Sequence, residues 1–460
     1  MFKKFISGSF RGGVIKSALQ AFCAAICACA VFAPQGARGQ AGANPDFKVR
    51  EVPFYNVKIN SGMWLDRLNS NRENTIPLAI RKCEECGRLE NFKKAANPSP
   101  ENKITLPWDD TDVYKTIESI SYSLQNTPDK ELEEYLDKVI EIIAKAQEPD
   151  GYLYTARTMN PENPANPRVG KKRWQNVEIA SHELYNMGHL IEAAVAHYKA
   201  TGKRNLLDIA IKFADCAHRE IGDGPGQLAR VPGHQIAEMA LVKLYLAISD
   251  KKYLELAKYF VDKRAKTERR DPYNQTHKPV LEQGEAFGHA VRANYMYAGI
   301  ADVMCASKDA SYLAPLNKIW ENVAYKKIYI TGGTGALRKG EAYGDNYYLP
   351  NLEAYCETCA AVANVYWNYR MFLASGNSKY FDVLERTLYN ALISGVSLDG
   401  KTFFYPNPLE AEGNYGRQEW FECSCCPSNI CRFMPTIGGY VYAIEGESLY
   451  VNLFMQARPK

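Results

Sequence analysis

The chain has 460 residues, 46% of them hydrophobic and 23% charged, with a formal net charge of +4. That length suffices for a large core and more than one domain, and the composition is ordinary for a globular protein. The small net charge, with no Lys/Arg block beyond the N-terminus, removes any electrostatic case for nucleic acid as a partner.

In chain order, the first segment reads as an export signal. Lys3, Lys4, Arg11 and Lys16 make a basic start, the short apolar run "SALQAFCAAICACAVFA" follows, and "GARGQA" offers Ala37 and Gly39 for cleavage before Gln40. Residues 1–39 are therefore predicted to direct the protein to the periplasm or the exterior. The apolar run is short for a membrane span, and no other stretch is long enough for one. A lipid anchor on Cys23, Cys27 or Cys29 stays open, although no clean lipobox precedes any of them.

Residues 45–60 alternate like a short strand. Helical periodicity then appears near 62–76, 112–127, 131–147, 178–201, 204–218, 235–249, 251–264, 286–306, 309–323, 354–375 and 378–395, with Gly, Pro, Asn and Asp in the connections. The phrases "HYKATGKRNLLDIAIKFAD" and "FLASGNSKYFDVLERTLYNAL" share one layout: helix, small-residue turn, helix. Eleven or twelve helices joined as hairpins predict a mainly α fold, an (α/α)6 barrel over 45–435, with a ligand-binding funnel at one end. After about residue 396 the pattern turns to strands and turns. Residues 436–460 read as the start of a C-terminal β-sandwich that stops in mid-pattern, as in a truncated chain.

Thirteen cysteines, less the three in the leader, leave ten. An even number in an exported chain allows disulfides, but a chain this large does not need them, and clustering favours a metal. "CETC" gives Cys356 and Cys359 the C-x-x-C spacing of zinc sites, with Glu357 between them. The stretch "CSCCPSNIC", read as a loop, holds Cys423, Cys425, Cys426 and Cys431. On an ideal helix Glu357 and Cys359 stand roughly 200° apart, so they can face one ion only at a helix start. Cys83 and Cys86 are also C-x-x-C, as a metal pair, a disulfide or two buried thiols. Among the carboxylates Glu341, Glu353 and Glu357, Glu341 sits in the Gly-rich loop "TGGTGALRKGEAYG". Loops of this kind hold catalytic groups more often than their share, and a glycosidase needs an acid beside a nucleophile or a base. His182, His234 and His289 each fall at a helix start, where they would line one rim of the barrel. His189, one face-turn beyond His182, reads as packed. Aromatics reach 12%, with 30 Tyr, which suits a sugar site and a helical core equally.

The segments "GHQIAEMALVKLY", "FGHAVRANYMYAGIAD", "TGGTG…GEAYG", "EAYCETCAAVANVYWNYRM", "ERTLYNALISGVSLDGKTFFYPNPL" and "WFECSCCPSNICR", in that order, resemble glycoside hydrolase family 127, the β-L-arabinofuranosidases. The likeness runs from about residue 50 to the end. The resemblance implies an (α/α)6 barrel followed by β-sandwich domains, and a retaining exo-acting enzyme with a cysteine nucleophile on Zn2+. It implies Glu357, Cys359, Cys425 and Cys426 as metal ligands, Cys425 as nucleophile, Glu341 as acid/base, and His182, His234 and His289 as sugar contacts. The partner would be an arabinose-containing glycan, and a homodimer stays open. Ser428 stands where the family's motif has a second proline, and Cys356, Cys423 and Cys431 are extra thiols that would compete for the metal or pair. A carboxyl acid must be neutral before the first step, so the pKa of Glu341 is expected to be raised by burial or by the negative cluster. The competing readings are a related glycosidase acting on another plant cell-wall sugar, a non-catalytic zinc-stabilised carbohydrate-binding barrel, and a metal-free Cys–His thiol hydrolase.

Overall fold

A computed structural model of the protein describes residues 47–104 and 106–459. The export signal read in residues 1–39, with its three cysteines, lies outside the described residues.

Six helices form an inner ring: α4 (Asp110–Asn126), α6 (Glu183–Thr201), α8 (Ala237–Ile248), α10 (Ala290–Ser307), α12 (Thr358–Ser375) and α14 (Cys425–Phe433). Each packs on the next, and α14 packs back on α4, so the ring closes. In α6, α8, α10 and α12 apolar and small residues run all round rather than on one stripe, as enclosed helices require, while α4 and α14 bury charged residues that pair across the ring. Every residue from Glu183 to His197 and from Ala290 to Cys305 is buried. Around them run α1 (Met63–Ser70), α2 (Ile76–Glu85), α3 (Arg88–Ala96), α5 (Lys130–Ala146), α7 (Asn205–Glu220), α9 (Lys251–Lys263), α11 (Leu313–Asn322) and α13 (Ser378–Thr387). These outer helices are amphipathic. In α5 the Asp129 side chain accepts the Leu132 N–H and starts the helix. Leu136, Val139, Ile140 and Ile143, at i, i+3, i+4 and i+7, then face inward. Burying that stripe contributes on the order of 6–12 kcal/mol of transfer free energy before conformational costs. The architecture is the (α/α)6 barrel expected from the hairpin pattern.

The repeated "helix, small-residue turn, helix" phrases have a shared physical basis. Gly202 (φ 74°) ends α6 and Gly376 (φ 70°) ends α12 in the left-handed region, where glycine carries no Cβ penalty. The chain then turns directly into α7 and α13.

Three departures from the periodicity matter. The segment near 62–76 continues through a five-residue π turn (Asn71–Thr75) into α2, and Pro77, which has no N–H for the helical ladder, lies just past that turn. Helices α6, α10 and α12 begin four or five residues later than the pattern indicated. Their leading residues carry non-helical backbone, including His182 at φ 62° and Cys356 at φ 40°. The stretch read as a cysteine loop is half helix: Cys425 opens α14, which continues to Phe433.

The two ends of the described part of the chain meet. Arg50–Glu51 pairs antiparallel with Tyr442–Glu445, which pairs in turn with Ser448–Val451. The ring's seam is polar and buried. Arg432 bridges from α14 to Glu118 on α4 (3.0 Å), Ser119 donates to the Cys431 carbonyl (2.7 Å), and Ser424 donates to Asp112 (2.5 Å). Among the described residues no helix is long and apolar enough to cross a membrane.

Candidate active site

At one end of the ring a cavity of about 380 Å³ opens. The late helix starts furnish its walls. His182 immediately precedes α6, His289 caps α10, and His234 lies three residues ahead of α8. Their rings stand in a row, with centroids 5.7 Å (His182–His234) and 5.6 Å (His234–His289) apart.

Hydrogen bonds fix the tautomers. His182 Nδ1 is 2.6 Å from the Ala180 carbonyl and His234 Nδ1 is 3.0 Å from the Gln235 carbonyl, so both Nδ1 atoms donate and both Nε2 atoms are free to accept. His289 is the reverse: its Nδ1 accepts the Val291 N–H (3.2 Å), so Nε2 carries the proton. Burial drives all three pKa values down, that of His182 to about 3, with the charge of Arg292 adding to the effect. The row is neutral imidazole. His189, as expected, is packed in the core, fully buried with neither ring nitrogen hydrogen-bonded.

His289 Nε2–H points at Glu341 Oε2 (2.8 Å), and the Tyr355 hydroxyl donates to Oε1 (2.8 Å). The loop that carries Glu341 is a tight turn. The backbones of Leu337 and Ala342 exchange two hydrogen bonds of 2.9 Å, and Gly340 (φ 75°) and Glu341 (φ 51°) both adopt left-handed backbone. A non-glycine residue held there stores of order 1 kcal/mol, a cost found where a side chain must be aimed. Burial by itself would raise the Glu341 pKa. The donors His289 and Tyr355 and the charge of Arg292 outweigh it, and the carboxyl is held below its ordinary value. This reverses the expectation of a raised pKa, because the two donors come from parts of the chain with no sequence relation to Glu341.

Glu357 is the residue before α12, in extended backbone (φ −57°, ψ 138°). The helix has not begun at that point, and this removes the 200° problem: Glu357 and Cys359 reach the same place. Cys425 and Cys426, opening α14, meet them. The ligand atoms of Glu357, Cys359, Cys425 and Cys426 all lie within 4.8 Å of one another. Individual separations are 3.3 Å (Cys359–Cys426 Sγ), 4.0 Å (Cys425–Cys426 Sγ), and 3.6 and 3.5 Å from Glu357 Oε1 to the Cys425 and Cys426 sulfurs. A tetrahedral zinc with bonds of about 2.3 Å to sulfur and 2.0 Å to oxygen needs edges near 3.8 and 3.5 Å. The second Glu357 oxygen is buried without a hydrogen-bond partner. Burial and the neighbouring carboxylate and thiols push the Glu357 pKa well up, and burial does the same for Cys426. Cys359 is also raised by burial, but the thiol donors Cys425 and Cys426 bring it below the ordinary value. Four donors converging on one point, with one carboxylate oxygen left without a partner, fit a divalent cation. Asn429, one turn into α14, donates its Nδ2 to Cys359 Sγ (3.1 Å).

The remaining thiols separate from this cluster. Cys356 turns away into a pocket of Tyr329, Ala336 and Ala354, and burial raises its pKa to about 12. Cys431 donates to Ser119 (3.2 Å), buried, with a pKa of about 12. Cys423 lines the cavity, 3.8 Å from Cys425. Cys83 is buried and Cys86 exposed, and none of the ten described cysteines is in a disulfide. Glu353 is exposed, away from the cavity.

His182, His234, His289, Glu341, Glu357, Cys359 and Cys425 thus line one cavity, and Cys426 lies directly behind it. Sequence reasoning missed Trp108, Tyr185, Tyr273, Arg292, Arg338 and Tyr405, which also line it. Arg292 left a signal: it follows His289 by three residues on one helix, hence on one face. Tyr405, whose hydroxyl is 3.0 Å from Cys425 Sγ, lies in one of the segments that carry the family resemblance, but no spacing points to its role, because only the tertiary fold brings "FFYPNP" to α14.

Comparison with known proteins gives a consistent picture. The family described as "Beta-L-arabinofuranosidase, GH127 catalytic domain" matches residues 56–439. A "Non-reducing end beta-L-arabinofuranosidase" from Bifidobacterium longum subsp. longum is 34% identical over 441 residues, covering 84% of this chain and 66% of that protein. Among solved structures, a GH127 β-arabinofuranosidase superposes with a TM-score of 0.89 at 63% identity, covering 90% of this chain and 65% of its own. A GH127 β-L-arabinofuranosidase from Geobacillus stearothermophilus T6 superposes at 0.82 with 39% identity, covering 87% and 68%. The chain spans about two thirds of the length of these relatives. With a family match over most of its length and the ring and cluster described above, the chain belongs to glycoside hydrolase family 127.

Proposed function

We propose that the protein is a retaining, exo-acting glycoside hydrolase that releases L-arabinose from β-L-arabinofuranosides, with Cys425 as nucleophile and Glu341 as acid and base. The observation that carries this reading is the meeting of the two groups across Glu357. A Glu357 oxygen is 3.6 Å from Cys425 Sγ, and its carboxylate lies within 4.8 Å of Glu341. The matched relatives are named for this activity.

The free Nε2 atoms of the neutral His182 and His234 accept from furanose hydroxyls without cost in charge, and His289, both of whose nitrogens are held by Val291 and Glu341, offers the sugar its ring face. Cys425 Sγ attacks the anomeric carbon, the glycosidic C–O bond breaks, and Glu341, in the fraction of molecules where it has taken up a proton from solvent, gives that proton to the departing oxygen. A thioglycosyl bond to Cys425 results. Glu341 then takes a proton from water, whose oxygen displaces the sulfur and releases the sugar with retained configuration. Tyr355 and His289 steady the carboxylate form of Glu341 between these transfers. A Zn2+ ion held by Glu357, Cys359, Cys425 and Cys426 would keep those thiols deprotonated at neutral pH. A purely carbohydrate-binding barrel has no use for a carboxylate aimed by two donors beside such a cluster. The basic, then apolar, then small-residue pattern of residues 1–39 supports a site of action outside the cytoplasm.

The test is release of p-nitrophenol from its β-L-arabinofuranoside by reduced, zinc-loaded protein beside Cys425→Ser and Glu341→Gln. Both variants are expected to lose turnover while Glu341→Gln keeps stoichiometric zinc. Turnover that survives Cys425→Ser would sink the thiolate mechanism.

A further inference from the structure

Two guanidinium groups at the mouth of the cavity are left over by this chemistry. Arg338 lines the cavity and is exposed, with its Cζ 5.6 Å from the ring centre of Tyr355. Arg168 is exposed and lies over Trp108, which also lines the cavity, at 5.7 Å. Three buried arginines of this protein are matched with carboxylates, Arg88 with Asp109 and Asp112, Arg264 with Glu238, Arg432 with Glu118, while the buried Arg292 of the cavity wall donates to the Gly233 carbonyl instead. Arg168 and Arg338 have no ion pair among the described residues. An exposed arginine needs none, but a free one ranges through solvent. These two stand within cation–π reach of aromatic rings of the pocket, which biases each guanidinium toward the mouth of the cavity before any ligand arrives. The carboxylate closest to Arg338 in sequence, Glu341, is already occupied on both oxygens by Tyr355 and His289.

Position assigns the ligand. The Arg338 carbonyl accepts the Glu341 N–H (3.2 Å), so this guanidinium springs from the same turn as the acid/base. In the function proposed above, on which this inference rests, the released sugar fills the closed end by the histidines and Cys425. The scissile oxygen sits at Glu341, and the leaving group points outward past Arg338. We infer that the leaving-group side of the pocket is a subsite for an anionic sugar, with Arg338, and Arg168 across the mouth, gripping the carboxylate of a uronic-acid residue that carries the β-L-arabinofuranoside. A bidentate guanidinium–carboxylate contact supplies both affinity and orientation there, and Trp108 and Tyr355 offer apolar faces to the sugar ring.

Two disaccharides decide it: β-L-arabinofuranosyl-glucuronic acid and its glucose counterpart, each as the methyl glycoside. Their affinities for zinc-loaded Glu341→Gln protein are measured by calorimetry, which reads preference without turnover, and their hydrolysis is followed with the parent enzyme. The acidic disaccharide is expected to bind roughly tenfold tighter or better at low ionic strength. The advantage should shrink in about 0.5 M salt, as exposed charge contacts do. Adding Arg338→Ala and Arg168→Ala should bring the ratio of the two affinities to about one. Equal affinities in the presence of both arginines would overturn the anionic subsite, and hydrolysis of the neutral disaccharide would then leave the arabinofuranosidase reading standing. A salt-sensitive acidic preference without hydrolysis of either compound would uphold the subsite and overturn that reading instead.

Discussion

Asn429 offers a quantitative test of the cluster. Its Nδ2 donates to Cys359 Sγ at 3.1 Å, and its Oδ1 accepts from Arg432 Nε at 2.7 Å and from Tyr295 at 3.2 Å. The side chain is fully buried, so no water replaces it. Asn429→Ala removes one hydrogen bond to a sulfur that must be anionic to bind metal. A bond to a charged group contributes about 1.5–3 kcal/mol, and loss of an outer partner of a metal ligand weakens affinity about 10–100-fold. The two estimates agree, since 1.4 kcal/mol is about tenfold. The zinc Kd of Asn429→Ala should therefore rise 10- to 100-fold in competition with a chromophoric chelator, using reduced protein well below its melting temperature. Asn429→Asp, nearly the same shape with an acceptor in place of the donor, should weaken zinc at least as much. A Kd within twofold of the parent in a folded Asn429→Ala protein would show that the contact does not tune the sulfur and refute this reasoning.

Further outcomes follow from contacts elsewhere. Tyr355→Phe removes the 2.8 Å donor to Glu341 Oε1. That donor favours the charged form, so its loss should raise the Glu341 pKa and carry the alkaline limb of the kcat/KM–pH profile upward. His197 is fully buried with neither nitrogen bonded, and burial lowers its pKa to about 4. The unfolded chain takes up this proton near pH 6.5 and the folded one only near 4, so stability falls as pH drops through that window. His197→Gln should reduce the stability lost between pH 7 and pH 5 by about 2 kcal/mol in denaturant titrations, and an unchanged slope would disprove the assignment. A Cβ on Gly288 (φ 68°) would stand 2.1 Å from the Pro272 carbonyl oxygen. Gly288→Ala should cost about 3 kcal/mol or more and displace the adjacent His289, read as a lowered Tm together with a lowered kcat.

The ring was legible because enclosed and surface-facing helices differ in composition, as "HELYNMGHLIEAAVAHYKA" and "KELEEYLDKVIEIIAKA" do. Glu357 and Cys359 were legible as joint ligands only under the condition that a helix begins there, and α12 does begin at Thr358. The three histidines stood out because each lies at a helix start. The protonation of Glu341 was not legible: its expected direction came from burial and neighbouring charge, while the outcome is set by hydrogen bonds from His289 and Tyr355. The start of α14 was hidden because a run of cysteines with Pro427 has poor helix propensity, and burial between α12 and α4 overrides it. Contacts such as Tyr405 with Cys425 join loops by tertiary packing and have no period to read.

The seam between the last and first members of the ring also sets an order of events. Glu357 and Cys359 belong to α12, and Cys425 and Cys426 to α14, some 66 residues later (425 less 359). During synthesis the sixth inner helix emerges last, and until it docks against α4 only two of the four donors exist, too few to hold an ion firmly. If the four donors hold a metal, its capture would coincide with closure of the ring. An ion taken up at that moment would act as a clasp on the finished circle, and a chain interrupted anywhere before Cys425 would have no means of fastening it.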